Sequence, residues 1–169
     1  EMPATTPGEF NAALVSDLMH GQDCVVLDAE KVPVNTGQLL SAALAGVELS
    51  SVPVLLRAGA DATALAARHL ELAKSRGIAS GRLSGAITAD PLAAWARAGG
   101  LPAPIDSLHD ALAAWTLRAA KESPGLKTIG VDAALWGNAG ATAVQELAFA
   151  LAAAPDYLRA LAGRQVAPE

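Results

Sequence analysis

Residues 127–154 read KTIGVDAALWGNAGATAVQELAFALAAA, and this stretch decides the fold. Its first five residues are mostly aliphatic or β-branched, which predicts a short strand followed by Asp132. Residues 137–140, Gly-Asn-Ala-Gly, predict a turn. Beyond the turn, apolar residues recur at helical spacing and predict a helix. The apolar face of that helix is formed by Val144, Leu147, Ala148, Leu151 and Ala152.

The start of this helix has two candidate N-cap residues, Asn138 and Thr142, because both side chains can accept a hydrogen bond from the first turn. Gln145 follows Thr142 by three residues, which is the spacing of a capping box. The stretch therefore predicts one unit in which a strand is followed by a helix.

The same alternation of strand and helix extends back through the chain. The pair Asp90-Pro91 is a strong helix start, because Asp caps helices and proline fits the first helical position. Strands are predicted at residues 23–29, 52–57, 82–87 and 127–131. Helices are predicted at residues 9–20, at 35–46, after the turn at 59–61 as far as 76, from 91, from 106 or 107 to 122, and up to 161.

This order predicts an α/β fold with four βα units of a TIM-barrel-type parallel sheet, a partial barrel preceded by an N-terminal helix. We expect a flexible lead-in at 1–8, a single domain at 9–162 and a tail at 163–169. Half a barrel leaves strand edges and apolar surface uncovered. Three arrangements would cover them: the rest of a longer polypeptide, a second copy of the chain, or flattening into an open doubly wound sheet.

Composition narrows the functional classes. The chain has 169 residues, of which 52% are hydrophobic and 17% charged, so one domain with a real core is expected. Its formal charge of -5 and dispersed basic residues argue against nucleic-acid binding. We see neither a signal peptide nor an apolar run of the ~20 residues that a membrane span needs. A cytoplasmic protein without a membrane partner is the resulting expectation.

Three acids follow predicted strands, where α/β proteins usually carry their functional groups. For Asp90 we favour the role of helix cap over catalysis. Asp28 and Asp132 are candidates for a carboxylate pair in acid–base chemistry, although a structural role is favoured for each. Arg57, at the end of the second strand, would either clamp a carboxylate or phosphate or pair locally with Asp61.

Metal and nucleophile chemistry find little support in the sequence. His20, His69 and His109 lie far apart on predicted helices with polar neighbours, so we expect them to be solvated and predict no metal site. Residues 137–140 would be able to hold an anion at the following helix N-terminus, but a plain turn is favoured. A Ser-His-Asp or Cys-His arrangement is not indicated either.

The amino-acid sequence of the last βα unit resembles that of a known family. The run NAGATAVQELAFALA from Asn138, followed by DYLR from Asp156, resembles the fifth strand and helix of the substrate-binding barrel of methylmalonyl-CoA mutases, above all their smaller subunit. Further resemblance runs from about residue 10 to 161. It includes VLLRAG at residues 54–59 and GAITADPLAAWAR at residues 85–97.

The same resemblance implies that catalytic positions are altered in this chain. Where catalytic subunits have a Tyr-His pair, this chain has Trp136-Gly137, and glycine offers no side chain to the reacting centre. Where they have a glutamine it has Thr88, and their arginine falls on Ala98, next to Arg97. The family's first barrel strand and its C-terminal cobalamin domain find no match here. We therefore expect neither a catalytic residue nor a cofactor site.

The resemblance implies part of the smaller, non-catalytic subunit of an adenosylcobalamin-dependent mutase that interconverts methylmalonyl-CoA and succinyl-CoA. The larger catalytic subunit would hold the cobalamin and the acyl-CoA, and this chain alone would be inactive. One alternative is a stand-alone or self-dimerising α/β binding scaffold. Another is a divergent acyl-CoA mutase whose pocket Trp136 reshapes. The residues expected to face substrate or partner are Asp28, Arg57, Thr88, Asp132, Trp136 and Asn138.

Overall fold

A computed structural model describes residues 6–166, in which helices and strands alternate as the sequence predicts. The strands are β1 Val25–Asp28, β2 Val54–Arg57, β3 Gly85–Ala89 and β4 Leu126–Ile129. The helices are α1 Pro7–Met19, α2 Gly37–Ala43, α3 Thr63–Ser75, α4 Pro91–Ala98, α5 Ile105–Glu122, α6 Ala134–Asn138 and α7 Ala143–Ala162. A 3-10 turn, Ser80–Arg82, precedes β3.

The four strands form one parallel sheet in the order β1-β2-β3-β4, so every strand pairs with its neighbour in sequence. A doubly wound sheet would reverse direction at some point, whereas this order is that of a barrel wall. The sheet stays open, which confirms the predicted partial barrel. Gly85 fixes the approach of β3 to β2: its φ is 116° and a Cβ there would lie 2.2 Å from the carbonyl oxygen of Val54.

One strand begins later than predicted. Residues 82–87 were expected to form it, but Arg82 ends the 3-10 turn and β3 runs from Gly85 to Ala89. Leu83 explains the error, because it is buried although it lies outside the strand. Apolar periodicity detects burial, and here burial begins before strand pairing.

Helices cover only one face of the sheet. The side chains on that face are fully buried, among them Val25, Leu27, Leu56 and Ile87. On the opposite face Val26 is 49% exposed. The continuous apolar run at residues 23–29 is of the kind that predicts a strand buried on both faces. That prediction is wrong, because the part of the chain described here covers one side of the sheet.

The predicted N-terminal caps of α4 and α7 are confirmed, whereas α2 is shorter at both ends than the predicted 35–46. Asp90 caps α4 and Pro91 is its first residue, while Thr142 and Gln145 form the capping box of α7 and exclude Asn138 as the cap. The turn predicted at residues 137–140 is partly helical, since α6 extends to Asn138.

The ends of the chain fall partly outside the described residues. Helix α1 begins at Pro7, capped by Thr6, so the last two residues of the expected lead-in are helical. The first five residues of that lead-in and residues 167–169 of the expected tail lie outside the described range. Within residues 6–166, no helix combines the length and the apolar character that a bilayer crossing requires.

Helix α7 turns its predicted apolar face to solvent. Val144 is 78% exposed, and Leu147 and Leu151 are also largely exposed. The helix instead buries Tyr157 and Leu161 near its C-terminal end. The apolar stripe identified from sequence is thus an uncovered surface of the half barrel.

Two of the three histidines are buried, which contradicts the expectation that all are solvated. His20 is exposed at the end of α1, whereas His69 on α3 and His109 on α5 face the interior. Burial, together with the smaller effect of the positive charge of Arg76, lowers the pKa of His69 from 6.5 to about 4. Polar neighbours in sequence gave no indication of this, because they lie on other faces of the helix.

The burial of His69 predicts a loss of stability in mild acid. The unfolded chain takes up a proton near pH 6.5 but the folded chain does so only near pH 4, so stability falls as pH decreases between these values. At about 1.4 kcal/mol per pH unit, the loss approaches about 3 kcal/mol. Urea unfolding of the wild type and of H69L from pH 7 to pH 4 measures it, and we expect a flatter profile for H69L.

The exposed His20 provides the matched control. H20Q is expected to keep the pH profile of the wild type, since it changes a histidine that lies in solvent. An H69L profile as steep as that of the wild type would show that His69 does not cause the acid sensitivity.

Candidate functional site

The open face of the sheet and the carboxyl ends of its strands form a cleft of about 450 Å³. Its floor is apolar and is built from Val26, Leu55 and Ala86 on three neighbouring strands. Four of the residues predicted to face substrate or partner line this cleft, namely Asp28, Arg57, Thr88 and Asp132. A parallel sheet brings them together because all of its strands end at the same edge.

Asp132 is held between two arginines. Its Oδ2 atom lies 2.5 Å from Nη2 of Arg57 and 2.7 Å from Nη2 of Arg97. Arg97 also donates a hydrogen bond to Glu30. These four residues form a chain of alternating charges across the mouth of the cleft, from the segment after β1 to the segment after β4.

The arrangement decides between the two alternatives for Arg57. Asp61, the proposed local partner, accepts a hydrogen bond of 2.8 Å from the backbone N–H of Thr63 at the start of α3. Arg57 clamps a carboxylate, as the other alternative proposed, but that carboxylate belongs to Asp132. A planar guanidinium with several donors suits such a contact better than an ammonium group would.

Asp90 organises the segment behind this charge chain. It accepts a hydrogen bond of 3.0 Å from the backbone N–H of Ala93, which caps α4, and one of 2.6 Å from the backbone N–H of Asp132. The hydroxyl of Tyr157 donates to the same carboxylate. Each carboxylate oxygen accepts at least one hydrogen bond, so the predicted role of helix cap is confirmed and Asp90 is poorly placed to act as a base.

Tyr157 connects α7 to this site. Its side chain is fully buried, and its hydroxyl accepts a hydrogen bond of 3.0 Å from the backbone N–H of Leu92. Burial raises the pKa of Tyr157, and the hydrogen bond to Asp90 adds to that rise. The phenol therefore stays protonated and acts as a structural donor.

Asp28 and Thr88 have local contacts. The carboxylate of Asp28 accepts a hydrogen bond of 3.0 Å from the backbone N–H of Glu30, so Asp28 and Asp132 line one cleft but have different partners. Thr88 packs against Gly130, where a Cβ would lie 2.8 Å from the threonine Oγ1. The loop after β4 approaches Thr88 this closely because residue 130 is glycine.

Trp136 and Asn138 lie apart from the other four predicted residues. The cleft lining extends along the chain as far as Ala134, and Asn138 is exposed at the end of α6. The ring of Trp136 stacks on Phe149 with a centroid distance of 4.6 Å, which ties α6 to α7. This aromatic side chain therefore joins two helices, and it does not line the cleft.

Sequence reasoning missed Glu30 and the part played by Arg97 and Tyr157. Glu30 follows Asp28 just past a strand, so its position at the sheet edge was available as a signal. The sequence singles out Arg97 only because it lies next to Ala98, where the resemblance places an arginine of the catalytic subunits. Nothing in the sequence pairs Tyr157 with Asp90, because that contact depends on how α7 returns to the sheet.

The described residues carry no cluster of metal-ligating side chains. Among residues 6–166 no group of three or more His, Cys, Asp or Glu side chains is positioned to hold a metal ion. The cleft lining contains no histidine, while two of the three histidines are buried elsewhere. The cleft offers paired charges above an apolar floor, an arrangement suited to holding the segments around it together.

The sequential parallel sheet, its one-sided helix layer and its cleft at the strand ends define a segment of a TIM-barrel-type α/β protein. Comparison with known families narrows this class. The family model for methylmalonyl-CoA mutase matches residues 25–169, and the chain belongs to that family, whose enzymes are associated with cobalamin. The resemblance seen in the sequence is thereby confirmed.

Individual relatives carry a more specific name. The chain is 38% identical over 157 residues to the methylmalonyl-CoA mutase small subunit of Streptomyces virginiae, covering 92% of this chain and 24% of that protein. It is 38% identical over 156 residues to a probable small subunit of Mycobacterium tuberculosis, covering 90% of this chain and 24% of that protein. The chain thus spans about a quarter of the length of these curated relatives.

The buried phenol gives a test of how the site is held together. Y157F removes the donor to Asp90 and the acceptor for the N–H of Leu92, so we expect unfolding free energy to fall by about 1–3 kcal/mol. Urea unfolding at pH 7 measures this loss. A152S, at an exposed position of the same helix, should change stability by less than about 0.5 kcal/mol. Equal stability of Y157F and the wild type would show that the contact is not structural.

Proposed function

We propose that this chain is part of the smaller, non-catalytic subunit of an adenosylcobalamin-dependent methylmalonyl-CoA mutase. The holoenzyme would interconvert methylmalonyl-CoA and succinyl-CoA, and this subunit would stabilise the larger one. The observation that carries the proposal is the 38% identity to the small subunit of Streptomyces virginiae over 92% of the chain.

The geometry of the cleft supports a non-catalytic role. Asp132 is engaged by two arginines, and Asp90 accepts hydrogen bonds on both carboxylate oxygens. Gly137 stands where catalytic relatives are expected to carry a histidine, and Trp136 stacks on Phe149 away from the cleft. General acid–base chemistry requires a titratable group free to reach the substrate, and these residues do not supply one.

The uncovered apolar surfaces support the proposal that the chain binds a partner. Helix α7 exposes a row of apolar side chains, and the open face of the sheet exposes Val26. Surfaces of this kind are typical of chains that bury them against further polypeptide. We propose that Asp28, Arg57, Thr88 and Asp132 face substrate or partner across the cleft.

The remaining assignments follow from the same proposal. Trp136 and Asn138 would face the partner from α6. The larger catalytic subunit would hold adenosylcobalamin and the acyl-CoA, and this chain would bind no cobalamin itself. A cytoplasmic location stays a prediction. No observation favours the self-dimerising scaffold or the divergent mutase over this assignment.

Native mass spectrometry of the untagged gene product from its own cells tests the assignment. We expect a chain much heavier than 17.0 kDa in complex with a larger protein, because the small-subunit relatives are about four times as long as this sequence. After the subunits are separated, visible absorption should show cobalamin only with the larger one.

Two outcomes would contradict the proposal. A 17.0 kDa chain that is monomeric or homodimeric in its own cells would remove the subunit role. Turnover of methylmalonyl-CoA by the separated smaller subunit would show that it is catalytic. The separated larger subunit, assayed alone and after recombination, is the control for loss of activity during separation.

A further inference from the structure

One carboxylate oxygen in the cleft is shared by two guanidinium groups from separate elements. Arg57 ends β2, Arg97 lies on α4, and both place an Nη2 atom within 2.7 Å of Oδ2 of Asp132. Asp132 is the more buried partner, with 13% of its side chain exposed. Two convergent arginines around one carboxylate form the arrangement by which proteins commonly bind a carboxylate ligand.

The chain presents Asp132 to these arginines at a fixed position. Its backbone N–H donates a hydrogen bond of 2.6 Å to Asp90, which is itself held by the start of α4 and by Tyr157. A carboxylate attached to the same polypeptide has a high effective concentration at its binding site. A free carboxylate in solution therefore competes poorly for the two arginines.

The charges around the cleft identify what Asp132 neutralises. Arg97 has a second carboxylate partner in Glu30, whereas the ion pair recorded for Arg57 among residues 6–166 is the one with Asp132. Removing the Asp132 carboxylate would thus leave Arg57 without its counter-ion. It would also vacate the position beside both Nη2 atoms, at the edge of a cleft of about 450 Å³.

We propose that Arg57 and Arg97 form a carboxylate-binding site that Asp132 occupies from within the chain, and that the native cleft is thereby closed to small carboxylates. This inference concerns a ligand site of the chain itself. It does not depend on the proposed subunit role, because it rests only on the contacts of these three side chains.

The test measures succinate binding to the complete natural polypeptide carrying D132A. Isothermal titration calorimetry at constant ionic strength should show saturable binding to D132A at least about tenfold tighter than to the wild type, as expected for hydrogen bonds to charged groups. Neutral succinamide should not bind, because the site selects the negative charge. Succinate binding to the wild type as tight as to D132A would overturn the inference.

Two further variants localise the gained binding. D28A removes another carboxylate from the same cleft. The carboxylate of Asp28 accepts a hydrogen bond from the backbone N–H of Glu30 and makes no ion pair with the two arginines, so D28A should gain no succinate binding. The double variant D132A/R57A removes the unneutralised arginine and should lose the succinate binding of D132A. Binding gained by D28A, or kept by the double variant, would show that the Arg57–Arg97 site is not responsible.

A second measurement covers the case in which D132A does not fold. D132N keeps the side-chain size and the backbone N–H that reaches Asp90 while removing the negative charge. We expect succinate to raise the unfolding temperature of D132N more than that of the wild type at matched ionic strength. An equal shift for both would overturn the inference, since it would show only a general effect of the anion. The readout uses no cobalamin, acyl-CoA or partner, so its failure is distinct from failure of the proposed function.

Discussion

The carboxylate of Asp90 is the contact on which the rest of the site depends. It caps α4, accepts a hydrogen bond from the hydroxyl of Tyr157 on α7, and accepts another from the backbone N–H of Asp132 after β4. Three segments that are distant in sequence therefore meet at one side chain. The charge chain from Glu30 to Arg57 is possible because Asp90 fixes where Asp132 stands. A partly buried acid whose hydrogen bonds are made is a stable junction, whereas the same acid without them would destabilise the fold.

The sequence predicted the elements of this fold because their signals are local. The Asp90-Pro91 pair and the Thr142–Gln145 capping box each operate within one helical turn, and both are confirmed. Sequential βα alternation likewise predicted the parallel sheet. The start of β3 was missed because Leu83 is buried without belonging to the strand. Boundaries depend on pairing with a neighbour, which periodicity does not detect.

The site was only partly predictable, and the reason is the range of its contacts. Placing Asp28, Arg57, Thr88 and Asp132 at strand ends was enough to bring them to one cleft. The partner of Arg57 was not predictable, because Asp61 is nearer in sequence while Asp132 is nearer in space. The burial of His69 and His109 depends in the same way on tertiary packing. Helical position alone does not distinguish a face that meets a neighbour from one that meets solvent.

Helix α7 carries two kinds of surface at once, and this has a mechanical consequence. Its exposed apolar row begins at Val144, and its only anchor to the cleft among the contacts described is the buried hydroxyl of Tyr157. The N-terminal part of the helix is thus exposed, while a hydrogen bond near its C-terminal end fixes it to the strand ends. It cannot slide along its axis without straining the bond to Asp90 and, through it, the backbone of Asp132. The position of α7 is therefore linked to that of Asp132 by two successive hydrogen bonds at Asp90.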